Sequence, residues 1–102
     1  MDLGLAGKNV IVTGASRGIG QACAMAFAAE GANLGICARG LEALEKTQTE
    51  LRAHGGAVFA KSCDVSDSDA LSRFLSDANS ELGGIDILVN NCLLYTSPSP
   101  RD

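Results

Sequence analysis

The 102-residue chain has no apolar run long enough to cross a bilayer, and no basic segment followed by an apolar one at its start. Met1-Asp2-Leu3-Gly4-Leu5-Ala6-Gly7-Lys8 leads straight into a short apolar stretch, so a cytoplasmic protein is expected. Basic residues are few and dispersed, with 8 Lys and Arg against 12 Asp and Glu. That balance speaks against a nucleic-acid surface or a polybasic membrane patch and leaves a small molecule as the expected partner. The cysteines, at positions 23, 37, 63 and 92, form no C-x-x-C pair, and the single histidine gives no cluster to complete a zinc set. They read as reduced, buried thiols. His54 falls in the last turn of a predicted helix, where the dipole favours a cation, and reads as helix-end decoration rather than a catalytic group. No internal repeat stands out beyond an alternation of strand and helix patterns, and no linker precedes residue 92. The length allows one domain at most.

What the chain does have is a glycine-spaced turn. Residues 10–20 run Val-Ile-Val-Thr-Gly-Ala-Ser-Arg-Gly-Ile-Gly, a short apolar run that breaks into Gly14, Gly18 and Gly20 and then into an alanine-rich helical pattern. Glycine lets the backbone take positive φ and come close to a ligand, while the free N–H groups and positive dipole end of the following helix attract an anion. A pyrophosphate fits that description. The spacing is G-x-x-x-G-x-G, which departs from the G-x-G-x-x-G dinucleotide fingerprint.

The remaining chain alternates. Residues 9–12 and 33–38 read as strands buried on both faces, the second interrupted by Gly35, and residues 57–62 as a short third strand. A fourth strand is expected over 85–91. The first helix, 18–30, carries Ile19, Ala22, Cys23, Ala26 and Phe27 at three- and four-residue steps, with Gly31 as its stop, and the small residues Ala22, Ala24, Ala26, Ala28 and Ala29 let it lie close to a sheet. The second, 41–54, carries Leu41, Leu44 and Leu51 on one side and ends at Gly55-Gly56. The third opens on Ser66 as its cap, with Asp67 and Asp69 in the first turn. Its apolar stripe is Leu71, Phe74, Leu75, Ala78 and Leu82, and Gly83-Gly84 stop it. The expected fold class is α/β, a Rossmann-type doubly wound parallel sheet of order 3-2-1-4, truncated after the fourth strand. Two helices would cover one face and the third the other. The glycine loop and Asn90 would then border one crevice at the switch point between strands one and four.

The string Thr13-Gly14-Ala15-Ser16-Arg17-Gly18-Ile19-Gly20 resembles the cofactor loop of the short-chain dehydrogenase/reductase family. Gly84-Ile85-Asp86-Ile87-Leu88-Val89-Asn90-Asn91 resembles the segment leading into that family's Asn-Asn-Ala-Gly element, and the style is nearest to 3-oxoacyl-carrier-protein reductase-like members. The resemblance implies a dinucleotide held by Gly14, Ser16, Arg17, Gly18, Ile19 and Gly20, with Asn90 against the cofactor ribose. It implies further that Asp64 accepts the adenine amino group beside the Val65 backbone; a turn aspartate ahead of Ser66 is the plainer reading of the same residue. At the end of the second strand, where an acid would meet a ribose 2′-OH, the chain has Ala38-Arg39. Arg39 and Arg17 could share a 2′-phosphate, which in this family goes with NADP rather than NAD; solvated surface arginines are the alternative.

The resemblance covers residues 1–91 and then stops. Residues 92–102, Cys-Leu-Leu-Tyr-Thr-Ser-Pro-Ser-Pro-Arg-Asp, read codon for codon as the translated reverse complement of a transposase sequencing adapter, so a non-native tail is expected. A Ser/Pro-rich disordered tail is the rival reading. The family's catalytic serine, tyrosine and lysine would lie beyond residue 91. Tyr95 does not stand in for that tyrosine, because Ser99 occupies the place of the lysine four residues on. The full-length parent is expected to be an NADP-preferring, homo-oligomeric oxidoreductase interconverting a carbonyl and a secondary alcohol. An NAD-dependent dehydrogenase and a non-catalytic nucleotide-binding module are the alternatives. The 102-residue polypeptide itself is expected to be inactive and poorly soluble.

Overall fold

A computed structural model describes residues 4–16 and 18–90. Their elements alternate as β1 Asn9–Thr13, α1 Gly18–Ala29, β2 Asn33–Ala38, α2 Leu41–Arg52, β3 Val58–Ser62, α3 Ser68–Leu82 and β4 Ile87–Asn90. The strands form one sheet in the order β3-β2-β1-β4, every pairing parallel. This is the doubly wound α/β arrangement expected from the alternation, with element ends within two residues of their expected places. Among the described residues, no helix is long and apolar enough to cross a membrane.

The two faces of the sheet bury different residues, as the two-residue period of a strand requires. Val10, Val12, Leu34 and Ile36 turn to one face and meet Ala24 and Ala28 of α1 and Leu44 and Leu51 of α2. Ile11 and Cys37 turn to the other and meet Phe74 and Ala78 of α3, with Cys63 completing that cluster. Phe74 is fully buried, its ring stacked on Phe59 with centroids 6.1 Å apart. The stripe expected on α3 is the one that packs.

Helix α1 corrects part of its expected face, of which Cys23 and Phe27 do pack against the core. Its buried residues are Gly20, Ala24 and Ala28, whereas Ile19 is 61% exposed and Ala22 and Ala26 face outward. Close packing on the sheet selects the smallest side chains at four-residue steps, a signal that apolar periodicity does not register. On α2, Leu41 is 55% exposed as the helix's first residue, and Thr47 takes an inward place, its hydroxyl accepting from Gln21 Nε2 at 3.4 Å. At α3 the cap is Asp67 rather than Ser66. Its carboxylate accepts the N–H groups of Asp69 and Ala70 at 3.0 and 3.2 Å, because Ser66 is committed elsewhere.

Gly35 is explained by a close approach. A Cβ there would lie 2.5 Å from Ile11 Cδ1, its neighbour in register, with Ala78 and Leu82 next nearest. At the end of the sheet opposite the glycine loop, asparagines tie the strands together. Asn33 donates to Asn9 Oδ1 at 3.0 Å and accepts the Ala57 N–H at 3.0 Å, while Asn9 and Asp86 exchange two bonds of 2.8 Å. Among the described residues, β4 pairs only with β1, and Leu88, the neighbour of Ile11 in register, is 51% exposed.

Candidate functional site

The carboxyl ends of β1, β2, β3 and β4 form one rim, and residues 14–16 cross it between β1 and α1. Gly14 and Gly18 adopt φ of 63° and 64°, which strains any residue with a Cβ. A Cβ at Gly18 would meet nothing within 4 Å, so the glycine also leaves open space at the first turn of α1. The loop is held by its main chain. Ala15 is fully buried and its N–H donates to Cys37 O at 3.1 Å, which joins the glycine loop to the end of β2. Ser16 is half-buried, Ile19 exposed and Gly20 buried against the sheet. A positive-φ turn, open space and the amino end of a 12-residue helix together suit the close approach of a diphosphate. Arg17 lies outside the described residues, as do Asn91, Cys92, Tyr95 and Ser99.

Asn90 ends β4 beside Thr13 in register. The Thr13 hydroxyl lies 3.2 Å from Asn90 Oδ1 and 3.5 Å from Val89 O, a link from the glycine loop to the end of β4. Thr13 was not among the residues singled out from the sequence. Its signal was a buried hydroxyl residue closing an otherwise apolar strand, which must find a partner.

The other half of the rim is built by β2 and β3. Cys63 N donates to Ala38 O at 2.9 Å, and the Ser62 hydroxyl donates to Arg39 O at 3.1 Å. Ser62, too, went unnoticed in the sequence, where it reads only as the end of a strand. These bonds fix the main chain of Arg39 and leave its side chain 80% exposed, with Nε 4.0 Å from Asp64 Oδ2. Asp64 accepts the Ser66 hydroxyl at 2.6 Å and the Ser66 N–H at 3.0 Å, both on Oδ1. The turn-aspartate reading is therefore present in the geometry. Those hydrogen bonds, the hydroxyl's first, hold the Asp64 carboxyl below its ordinary value; slight desolvation opposes them and Arg39 adds a smaller pull. Val65 packs its side chain toward the α3 cluster.

Cys37 and Cys63 lie buried under this half of the rim. Burial pushes the Cys63 thiol up, against a hydrogen bond from Cys37, and the nearby charges of Asp64 and Asp67 add to the rise. The Cys63 thiol is a poor nucleophile for that reason. A shallow depression of about 360 Å³ lies away from the rim, between β3 and α3, where Lys61 pairs with Asp77 at 2.6 Å across Phe59, Ser80 and Glu81.

A family model described as short chain dehydrogenase matches residues 8–99. The chain belongs to the short-chain dehydrogenase family. It is 41% identical over 97 residues to a short chain dehydrogenase/reductase of Colletotrichum higginsianum, an alignment covering 95% of this chain and 36% of that protein. Among solved structures it is similar to L-sorbose reductase from Gluconobacter frateurii complexed with NADPH and L-sorbose. There the TM-score is 0.82 and the identity 36%, over 86% of this chain and 34% of that one. It is similar also to NAD+-bound xylitol dehydrogenase, with a TM-score of 0.79 and 33% identity, over 82% of this chain and 32% of that one. The chain thus spans about a third of the length of the relatives it matches. Those two neighbours carry different cofactors, so the fold alone does not choose between them.

Proposed function

We propose that this chain supplies the adenosine-pyrophosphate half of an NADP(H) site in an oxidoreductase that interconverts a carbonyl and a secondary alcohol. When bound, the cofactor supplies hydride exchange at its nicotinamide. The chain's own residues bind and orient it. The main-chain amides of the turn containing Gly14, Ser16, Gly18, Ile19 and Gly20 meet the diphosphate, and Arg17 is read as a second guanidinium for the 2′-phosphate. Asn90, aligned by Thr13, meets the ribose, and Asp64 with Val65 meets the adenine. Arg39 meets the 2′-phosphate.

The observation that carries the choice of NADP is the exposed guanidinium of Arg39 on a fixed main chain, at the position where an acid would select a ribose 2′-OH. A 2′-phosphate there gains a charge-assisted, bidentate hydrogen bond. In the full-length protein, Arg39→Asp should reverse the preference, weakening NADPH and strengthening NADH. Direct binding titrations of both cofactors check this, and an unchanged ratio refutes it. The NAD-dependent reading is the outcome in which wild type already prefers NADH.

Residues 1–91 form, on this reading, the amino-terminal half of the Rossmann domain of a homo-oligomeric cytoplasmic enzyme, and the group that moves the substrate proton lies beyond them. The 102-residue polypeptide alone should then show no turnover with NADPH and a panel of carbonyl compounds. Residues 92–102 are read as adapter-derived. Long-read sequencing through the codon of Asn91 tests this, and the same codons in uninterrupted genomic DNA would refute it. A native stop codon close to residue 91, with soluble expression of residues 1–91, would favour a non-catalytic nucleotide-binding module instead.

A further inference from the structure

Arg39 and Asp64 face each other on the rim, past the ends of β2 and β3, without closing into a tight pair. Nε stands 4.0 Å from Oδ2, and the arginine side chain remains 80% exposed. The cause lies on the other oxygen. Asp64 Oδ1 accepts both the hydroxyl and the N–H of Ser66, at 2.6 and 3.0 Å. The carboxylate therefore cannot turn both oxygens onto the fork of the guanidinium, the arrangement that makes arginine-carboxylate pairs strong. The main chain of Arg39 is meanwhile anchored through its carbonyl to the Ser62 hydroxyl. Its exposed head group extends from that anchored base, with the second carboxylate oxygen of Asp64 4.0 Å from Nε.

We propose that Arg39 is shared between two anions, the Asp64 carboxylate and a cofactor 2′-phosphate, and that Ser66 biases the sharing toward the phosphate by restraining Asp64. The proposal rests on the NADP reading above and adds to it a residue pair that sets the degree of preference. With no phosphate bound, Asp64 Oδ2 partly neutralises the guanidinium, and an arriving 2′-phosphate must displace that contact. While Ser66 holds Oδ1 the contact is single and long, so displacement costs little, as for other exposed pairs. Without the Ser66 hydroxyl the carboxylate is freer to grip Arg39 with both oxygens, and the phosphate meets a stronger competitor.

The test uses the full-length protein and two ligands, adenosine 2′,5′-bisphosphate and 5′-AMP, titrated calorimetrically. The ratio of their affinities is the readout. Both ligands carry the same adenine, so a change in the adenine contact at Asp64 cancels in the ratio. Asp64→Asn removes the competing charge while keeping an acceptor for Ser66, and should raise the ratio roughly two- to fivefold, the range open to an exposed ion pair. Ser66→Ala should lower it by a similar factor. In an Arg39→Gln background neither change should move the ratio. An Asp64→Asn rise of equal size in that background would mean plain repulsion between carboxylate and phosphate, and would overturn the sharing. If Arg39→Gln collapses the ratio but Asp64→Asn and Ser66→Ala do not shift it, the sharing fails while the NADP reading stands. If Arg39→Gln itself leaves the wild-type ratio unchanged, the NADP reading fails and takes the proposal with it.

Discussion

Replacing Gly35 by alanine sets two effects of known sign against each other. Gly35 is not among the positive-φ glycines, so alanine is conformationally allowed there, and the substitution restricts the unfolded chain, a gain of about 0.4–1 kcal/mol. Against that, the new methyl would sit 2.5 Å from Ile11 Cδ1, 3.3 Å from Ala78 Cβ and 3.4 Å from Leu82 Cδ1. Ile11 and Ala78 are fully buried, so Ile11 Cδ1 must shift among packed neighbours to make room. Overpacking a filled core costs about 1–3 kcal/mol, and the clash should win by about 1–2 kcal/mol. The size of the loss is tied to one atom, which makes the reasoning testable in a double-mutant cycle. Ile11→Val removes Cδ1, alone costing about 0.5–1.5 kcal/mol, and should recover much of the Gly35→Ala loss when the two are combined. Thermal unfolding of the full-length protein and the three variants under one protocol gives the cycle, with about 2–4 °C expected per kcal/mol for a domain of ordinary size. Additive losses, or a Gly35→Ala variant as stable as wild type, would refute the close approach as the reason for glycine at this position.

Asp67→Ala should remove the α3 cap and cost about 1 kcal/mol, read as a lower unfolding midpoint; Ser66→Ala should cost less, because Ser66 does not cap the helix. The Asp64 titration, followed by NMR, should move up toward its ordinary value of 3.8 in Ser66→Ala, since the Ser66 hydroxyl is the largest influence holding it down. The sign for stability follows from that lowered value. The contribution of Asp64 is present above the ordinary value and drains away as pH falls through the native one, so the acid limb of the stability curve should flatten in Ser66→Ala. Cys37 and Cys63 should resist a thiol-specific reagent in the native protein near neutral pH and react once it is unfolded, whereas labelling in the native state at the rate of a free thiol would contradict their burial.

The strands and the α3 stripe were legible because both follow from strong, simple periods, and the sheet order because alternating strands and helices suit the doubly wound arrangement. Strands buried on two faces leave continuous apolar runs, and an amphipathic helix repeats its large residues at steps that survive without any partner in view. The face of α1 was legible only in part, since alanines small enough to lie close to a sheet run all round the helix, and hydrophobicity ranks Ile19 above the buried Gly20, Ala24 and Ala28. The shift of the α3 cap from Ser66 to Asp67 has a similar origin. Ser66-Asp67-Ser68-Asp69 offers several competent caps in succession, and what decided between them was the attachment of Ser66 to Asp64. At the candidate site, the glycine turn, Arg39, Asp64 and Asn90 stood out by type and position. Thr13 and Ser62 did not, because a hydroxyl that serves a neighbouring strand is recognisable only once the strand order brings that neighbour alongside.

This division between what is fixed and what is free bears on how such a site can change its ligand. The rim's main chain is tied strand to strand by Ala15 N to Cys37 O, Cys63 N to Ala38 O and Ser62 Oγ to Arg39 O. The buried side chains beneath it hold the spacing of the strands. A diphosphate bound by main-chain amides depends on that fixed frame, and a side-chain substitution on the outer rim leaves the frame in place. Arg39 and Asp64 lie outside it, exposed and linked by one long contact. Changing either should therefore alter which ribose substituent is preferred without costing the fold, whereas Gly35 or Phe74 cannot be altered without disturbing the strands that carry the rim. The neighbours bound to NADPH and to NAD+ on one architecture are what that separation leads one to expect.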